Sequence, residues 1–215
     1  YKTLRTKGFI MSIVTLNDRG VRSVSAFGSL NTGSMVFIKK LTASSSGTLS
    51  FVNGASSVVL DSTYKEYVFT FKDIHAGTDS VQLTFNMSID AGSNYNVTKT
   101  TSAFYAEQNE AGSDTGLAYN TSRDLAQSTA FQTIFMNVGS DNDQCNVGFL
   151  HLFNPSSTTF VKHFITRGSE YQAGNYATSS FIAGYGNTTS AVDAVQFKMS
   201  SGNIDAGDIC LYGIL

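Results

Sequence analysis

Three histidines, two cysteines and a thin scatter of carboxylates are the groups in this 215-residue chain that could carry acid–base, nucleophilic or metal chemistry. A hydrolytic triad needs a Ser or Cys, a His within reach and a carboxylate to orient it, and the chain has no Gly-x-Ser-x-Gly elbow. His75, His151 and His163 are scattered. His151 lies between Leu150 and Leu152, and His163 between Lys162 and Phe164, so both are expected to project from a strand face opposite the core. No spacing matches a zinc motif. Glycoside cleavage needs two carboxylates roughly 5–10 Å apart; Glu107, Glu110 and Asp114 are the candidates, with solvated loop charges as the plainer reading. Asp141, Asn142 and Asp143 resemble the opening of a calcium loop, yet Cys145 and Asn146 stand where that motif wants an oxygen ligand and a Gly, so a turn is expected. No catalytic residue, metal or cofactor is assigned, and the chain reads as non-enzymatic.

Recognition is the other chemistry on offer. Tyr171, Asn175, Tyr176 and Tyr185 lie in a stretch rich in Gly, Ser and Asn between residues 169 and 187. A Tyr ring supplies rigid contact area and its small polar neighbours supply hydrogen bonds, a composition suited to sugars or proteins. For each Tyr, a place in the core is the equal alternative. Asn-x-Ser/Thr triplets begin at Asn86, Asn96, Asn120 and Asn187 and matter only on a eukaryotic secretory route.

Charge is unevenly spread. Residues 1–30 hold Lys2, Arg5, Lys7, Arg19 and Arg22 against Asp18, a balance of +4, and the rest of the chain carries −6 within a total of −2. A basic arm therefore precedes an acidic body that would repel phosphate, and no basic patch interleaved with aromatics follows, so nucleic acid is not the expected partner. The arm is expected to dock on an acidic protein neighbour or on an adjacent copy, with a solvated leader as the alternative. Lys2, Arg5 and Lys7 precede an apolar run over residues 9–16 as in a secretion signal, but Asp18, Arg19 and Arg22 interrupt it. Met11 heads a natural start, and the ten residues before it are read as part of a longer chain. No apolar run reaches the roughly 18 residues of a membrane helix, and membrane insertion is not expected.

The elements that must position these groups are strands. Charged residues are 14% of the chain while 51 positions are Ser or Thr, and aromatics are 12% without a single Trp. That mixture suits exposed β proteins. Tyr67, Phe69 and Phe71 alternate with Glu66, Val68 and Thr70, and Val81, Leu83, Phe85 and Met87 alternate with Gln82, Thr84, Asn86 and Ser88, the period of a half-buried strand. Further strands are expected over 24–27, 35–41, 48–52, 95–105, 131–138, 145–153, 158–166 and 176–185, and a closing pair joined by a loop fills 191–215. Residues 123–131 are the best helical window, at most two turns. Residues 107–120 and 168–177 read as long loops, where β-sandwiches carry recognition. The tetrapeptide Ile-Asp-Ala-Gly at 89–92 and 204–207 reads as turn chemistry in both places. Cys145 and Cys210 are expected as buried free thiols. The fold class is thus all-β, a jelly-roll-like antiparallel sandwich over residues 31–215 behind a short arm at 1–30.

The residues Tyr67-x-Phe69-x-Phe71, Ile74-His75-x-x-Thr78-Asp79, His151 through Pro155 and the ending from Ala194 to Ile214 resemble a family of bacteriophage virion proteins, found in marine phages, cyanophages among them, and in prophages. The resemblance runs over about residues 11–215 and rests on strands and turns rather than a reactive site. It implies a structural, tail-fibre-like component at the virion surface, tail or capsid, with other virion proteins as partners. Analogy with phage fibres adds a homotrimer. Removal of residues 1–22 is expected to leave a folded domain that no longer enters particles, read by gel analysis of purified virions; undiminished incorporation contradicts a docking role for Lys2, Arg5, Lys7, Arg19 and Arg22.

Overall fold

Alternating apolar and polar residues become twelve strands, with no helix among the described residues. The computed structural model describes residues 34–215; the arm residues Lys2, Arg5, Lys7, Arg19 and Arg22 and the strand expected at 24–27 lie outside them. The strands are β1 (Met35–Thr42), β2 (Leu49–Val52), β3 (Glu66–Ala76), β4 (Val81–Ser88), β5 (Lys99–Asn109), β6 (Thr115–Tyr119), β7 (Gln132–Val138), β8 (Asn146–Phe153), β9 (Lys162–Gln172), β10 (Tyr176–Gly186), β11 (Ala194–Met199) and β12 (Ile204–Ile214). Every pairing between them is antiparallel.

A larger layer runs β1-β12-β3-β8-β9-β10-β5-β6 and a smaller one runs β7-β4-β11-β2. They join where Val138 of β7 pairs with Gln172 of β9, so the sheet folds over itself and nearly closes into a barrel. Between the layers sit the inward residues of the alternating strands. Phe197 of β11 meets Phe69 and Phe71 of β3, each with ring centroids 5.3 Å away, and Phe51 of β2 at 6.2 Å, all edge to face. Phe85 of β4 packs on Phe164 of β9 at 5.0 Å. Edge-to-face pairs add to the gain from burying the rings themselves.

Beneath β5, β9 and β10 the interior is polar instead. Their inward positions include Lys99, Thr101, Lys162, Thr166, Glu170, Thr178 and Ser180, all buried. The cover there is irregular backbone: Lys99 and Ser128 exchange main-chain bonds of 2.8 and 3.0 Å, and Leu125 N–H donates 2.8 Å to the Thr101 hydroxyl. Buried main-chain groups must find partners, so the strand side chains facing this cover are polar. The helical window at 123–131 is spent in this way, as turns and extended chain along β5 rather than as helix.

Several other elements differ from the sequence reading. The stretch 107–120 is no long loop: β5 runs to Asn109 and β6 occupies Thr115–Tyr119. Nor is 168–177, since β9 continues to Gln172 and β10 opens at Tyr176. Gly168 sits in mid-strand opposite Gly148 of β8, and together they seat the ring of Phe135. A Cβ on Gly168 would lie 2.8 Å from two Phe135 ring atoms. The strands at 95–105 and 158–166 begin later than expected, at Lys99 and Lys162. The closing strands do not pair with each other: β11 lies between β4 and β2, whereas β12 lies between β1 and β3. At 89–92 the Asp90 carboxylate does make a turn, accepting 2.9 Å from Asn94 N–H. The second copy of that tetrapeptide lies inside bulged β12, where Gly207 (φ 114°) lets the backbone approach Asp73.

Gly168→Ala is expected to lower stability by about 1–3 kcal/mol because the Phe135 ring has to move out of packed core. Urea unfolding reads this, and an unchanged midpoint contradicts the seat.

Candidate functional site

Two hairpin tips lie side by side at one end of the larger layer. The β9–β10 turn takes residues 173–175, closed by Asn175 N–H donating 2.9 Å to Gln172 O, with Asn175 at φ 58°. Asn tolerates that left-handed conformation better than most residues, which explains its place there. The β5–β6 tip is closed by Asn109, whose side-chain oxygen accepts from Ser113 and Asp114 N–H at 3.0 and 3.1 Å. The tips are tied together by Glu110 N–H donating 3.0 Å to Asn175 O.

Between them opens a groove of about 540 Å³ lined by Gln108, Asn109, Glu110, Cys145, Val147, Ser169, Glu170, Tyr171 and Ala177. Gln108, Val147, Ser169, Tyr171 and Ala177 are outward positions of β5, β8, β9 and β10, the side of each strand away from the core, while Asn109 and Glu110 come from the β5–β6 tip and Cys145 from the residue before β8. Tyr171 stands across the ladder from Ala177, and its hydroxyl donates 3.4 Å to Asn175 Oδ1. A hydrogen bond to Glu110 raises the Tyr171 hydroxyl above its usual range, so the phenol stays protonated and able to donate. Shallower hollows continue from the groove over Val147, Arg167, Ser169 and Ser179.

The sequence-chosen residues separate. Tyr171 lines the groove and Asn175 forms the turn beside it. Tyr176 has the parity of inward Thr178 and Ser180, on the other side of β10, and its hydroxyl donates 2.8 Å to Asp114. Tyr185 lies eight positions from Ala177, about 27 Å along the strand. There it lines a second hollow of about 570 Å³ with His163, Phe153 and Ile165. The carboxylates divide as well. Glu110 faces the groove, whereas Asp114 holds Tyr176, and Glu107, raised first by burial and then by the Asp114 charge, lies with it.

Other candidates resolve more simply. His151 projects outward from β8 to Glu66, and His163 projects beside Tyr185 with ring centroids 5.9 Å apart. Residues 141–144 form a turn, with Gln144 N–H donating 2.9 Å to Asp141 O. Among the described residues no three His, Cys, Asp or Glu side chains gather as a metal site. Both cysteines are free; Cys210 is buried, and Cys145 is half-buried on the groove wall. Asn86 is fully buried and its amide donates to Tyr95 O and Thr129 O, so it is no glycan acceptor. Gln108, Ser169 and Ala177 were missed as site residues because their stretches read as loops, and their only signal was membership of an outward strand face. Protein-family models, curated proteins and solved structures yield no match to this chain.

Behind the groove wall, Glu170 points inward. It accepts from Met136 N–H at 2.7 Å and from the Ser180 hydroxyl, and burial pushes it up to about 7. The folded chain thus keeps a proton that the unfolded chain releases at an ordinary carboxylate value, 4.5. Its contribution to stability is complete below that value and is lost as pH rises to about 7. Lys99, pushed down to about 7 by burial, acts in the other window: its contribution is lost as pH falls from its ordinary 10.5 toward 7. The unfolding free energy is therefore expected to fall between about pH 5 and pH 7, and Glu170→Gln to reduce that fall by an amount on the order of 2 kcal/mol, read by urea unfolding across this range. An equally steep profile in that variant contradicts the assignment.

Proposed function

We propose that the chain is a non-enzymatic structural protein of a bacteriophage virion, a surface-exposed tail-fibre or appendage component that takes part in host attachment. The observation that carries this reading is the open groove at the two hairpin tips, where a Tyr ring stands among amide and hydroxyl side chains. A sugar ring stacks on an aromatic face and hydrogen-bonds to such neighbours, so a host surface glycan is the first candidate ligand and a host protein the second. The family resemblance adds other virion proteins and further copies of the chain, as a homotrimer, as partners, and the particle surface as location. Neither nucleic acid nor membrane insertion belongs to this reading. A glycan-cleaving enzyme is disfavoured because, of the two acidic residues at the groove, Glu110 and Glu170, the second turns its carboxylate into the interior toward Met136 N–H and the Ser180 hydroxyl.

A capsid decoration protein is the second reading, favoured by a different observation: large apolar side chains exposed across the outer face of the larger layer. Decoration needs an apolar underside, whereas attachment needs a tip.

The test is binding of the purified protein to intact host cells and to their extracted surface polysaccharide. Tyr171→Ala is expected to weaken binding about tenfold, the loss of one well-packed aromatic anchor, while Tyr185→Ala leaves it unchanged. Undiminished binding by Tyr171→Ala, or no binding by the unmodified protein, contradicts the attachment reading.

A further inference from the structure

The outer face of the larger layer is apolar where a solvated sheet would be polar. Phe104 (46% exposed), Leu117 (77%), Tyr119 (53%), Val147 (41%) and Ile165 (49%) all project from it. They are cross-strand neighbours rather than scattered residues: Tyr119 pairs with Phe104, which pairs with Phe181, and the Phe104 and Phe181 rings stack with centroids 4.8 Å apart. At the far edge of the same layer Phe37 (57%) and Met35 (46%) continue the surface beside Tyr212 and Ile214. Among the outward positions of β5, β6, β8, β9 and β10 the one Asp, Glu, Lys or Arg is Arg167. Its guanidinium lies over the Phe181 ring at 4.8 Å and so already has a partner within the chain.

A solvated face of an antiparallel sheet alternates polar residues against the buried ones, and monomers seldom expose a contiguous apolar patch beyond a few hundred Å². At about 4.8 Å per strand and 3.3 Å per residue, five strands over eight residues present roughly 600 Å², and all eight strands roughly 1,000 Å². A stable interface takes about 800 Å² from each partner, which the eight-strand face reaches and the five strands alone approach. Its composition also chooses among partners. Freedom from charge together with aromatic, Met and Arg content marks the core of a permanent interface, the homo-oligomeric kind above all, rather than a transient contact. Strand β6, Thr115–Tyr119, the edge of this layer among the described residues, carries neither the charge nor the proline that would discourage association.

The geometry points to a second copy of this chain as the occupant of the outer β6-β5-β10-β9-β8 face. The inference holds whether or not the protein belongs to a virion; the groove that carries Tyr171 opens at the tip end of this same face, and Val147 belongs to both.

Light scattering coupled to size exclusion tests it on the full chain at micromolar concentration. The expected mass is a multiple of 23.1 kDa. Leu117→Asp with Phe104→Asp, and separately Ile165→Asp, are expected to reduce it to the single-chain mass with an unchanged circular dichroism spectrum. Ile89→Asp, altering a residue 44% exposed outside these strands, keeps the assembly. A single-chain mass for the unmodified protein overturns the inference, whether a shell protein, a glycan or the chain's own residues 1–33 cover the face. So does an unaltered mass in the folded face variants. Host binding by the Tyr171→Ala variant is read separately from mass, so either reading can fail without the other.

Discussion

The packing of Phe197 between two layers is the interaction on which the rest of the structure depends. Its ring is reached from β2, β3 and β4 by Phe51, Phe69, Phe71 and Phe85, so one residue of β11 unites strands far apart in sequence. Once those rings meet, the inward side of every strand crossing the cluster is set, and a register slip of one residue would turn phenyl groups into water. The outward residues of the same strands are then left to form surfaces, which is where function can reside.

The two layers are unequal, and that inequality explains much of the remainder. Four strands cannot cover eight, so β5, β9 and β10 rest partly on irregular chain at 120–131. Irregular backbone wants hydrogen-bonding partners, and Thr101, Gln132, Ser180 and Glu170 supply polar groups there, the Thr101 hydroxyl donating 2.7 Å to Gln132 Oε1. Two lysines are buried in the same half with no carboxylate partner among the described residues: Lys99 donates to Asn86 Oδ1 and Val97 O, and Lys162 to the carbonyls of Ser157, Phe160 and Thr188. Placing charge in the interior weakens this half relative to the aromatic one. It also inverts the pattern of β9, which puts Glu170 inside and Tyr171 outside.

That inversion marks the limit of what the sequence discloses. β3 and β4 were legible because their buried faces are apolar, and β7 and β8 for related reasons. β9 was half hidden, since Lys162, Thr166 and Glu170 look like surface residues and Gly168 looks like a turn until Phe135 is seen lying on it. β6 was hidden by the turn residues around it. The pairing of the final strands was invisible because β11 and β12 enter different layers, a matter of long-range contacts. Among the Tyr residues, composition could not separate Tyr171 from Tyr176, whereas parity along β9 and β10 places one on the groove and the other behind it.

The outward surface of the larger layer thus offers a groove at its tips and an apolar expanse along its strands. A displayed particle component needs both, one surface to meet the host and another to hold its assembly. The most direct measurement is a cryo-electron-microscopy map of purified virions from a host infection that expresses this chain. The account predicts density for residues 34–215 on the particle exterior, the β5–β6 and β9–β10 tips pointing away from the particle and the outer sheet faces of neighbouring copies in contact. Absence of the protein from purified particles, or tips buried against the shell, would contradict it.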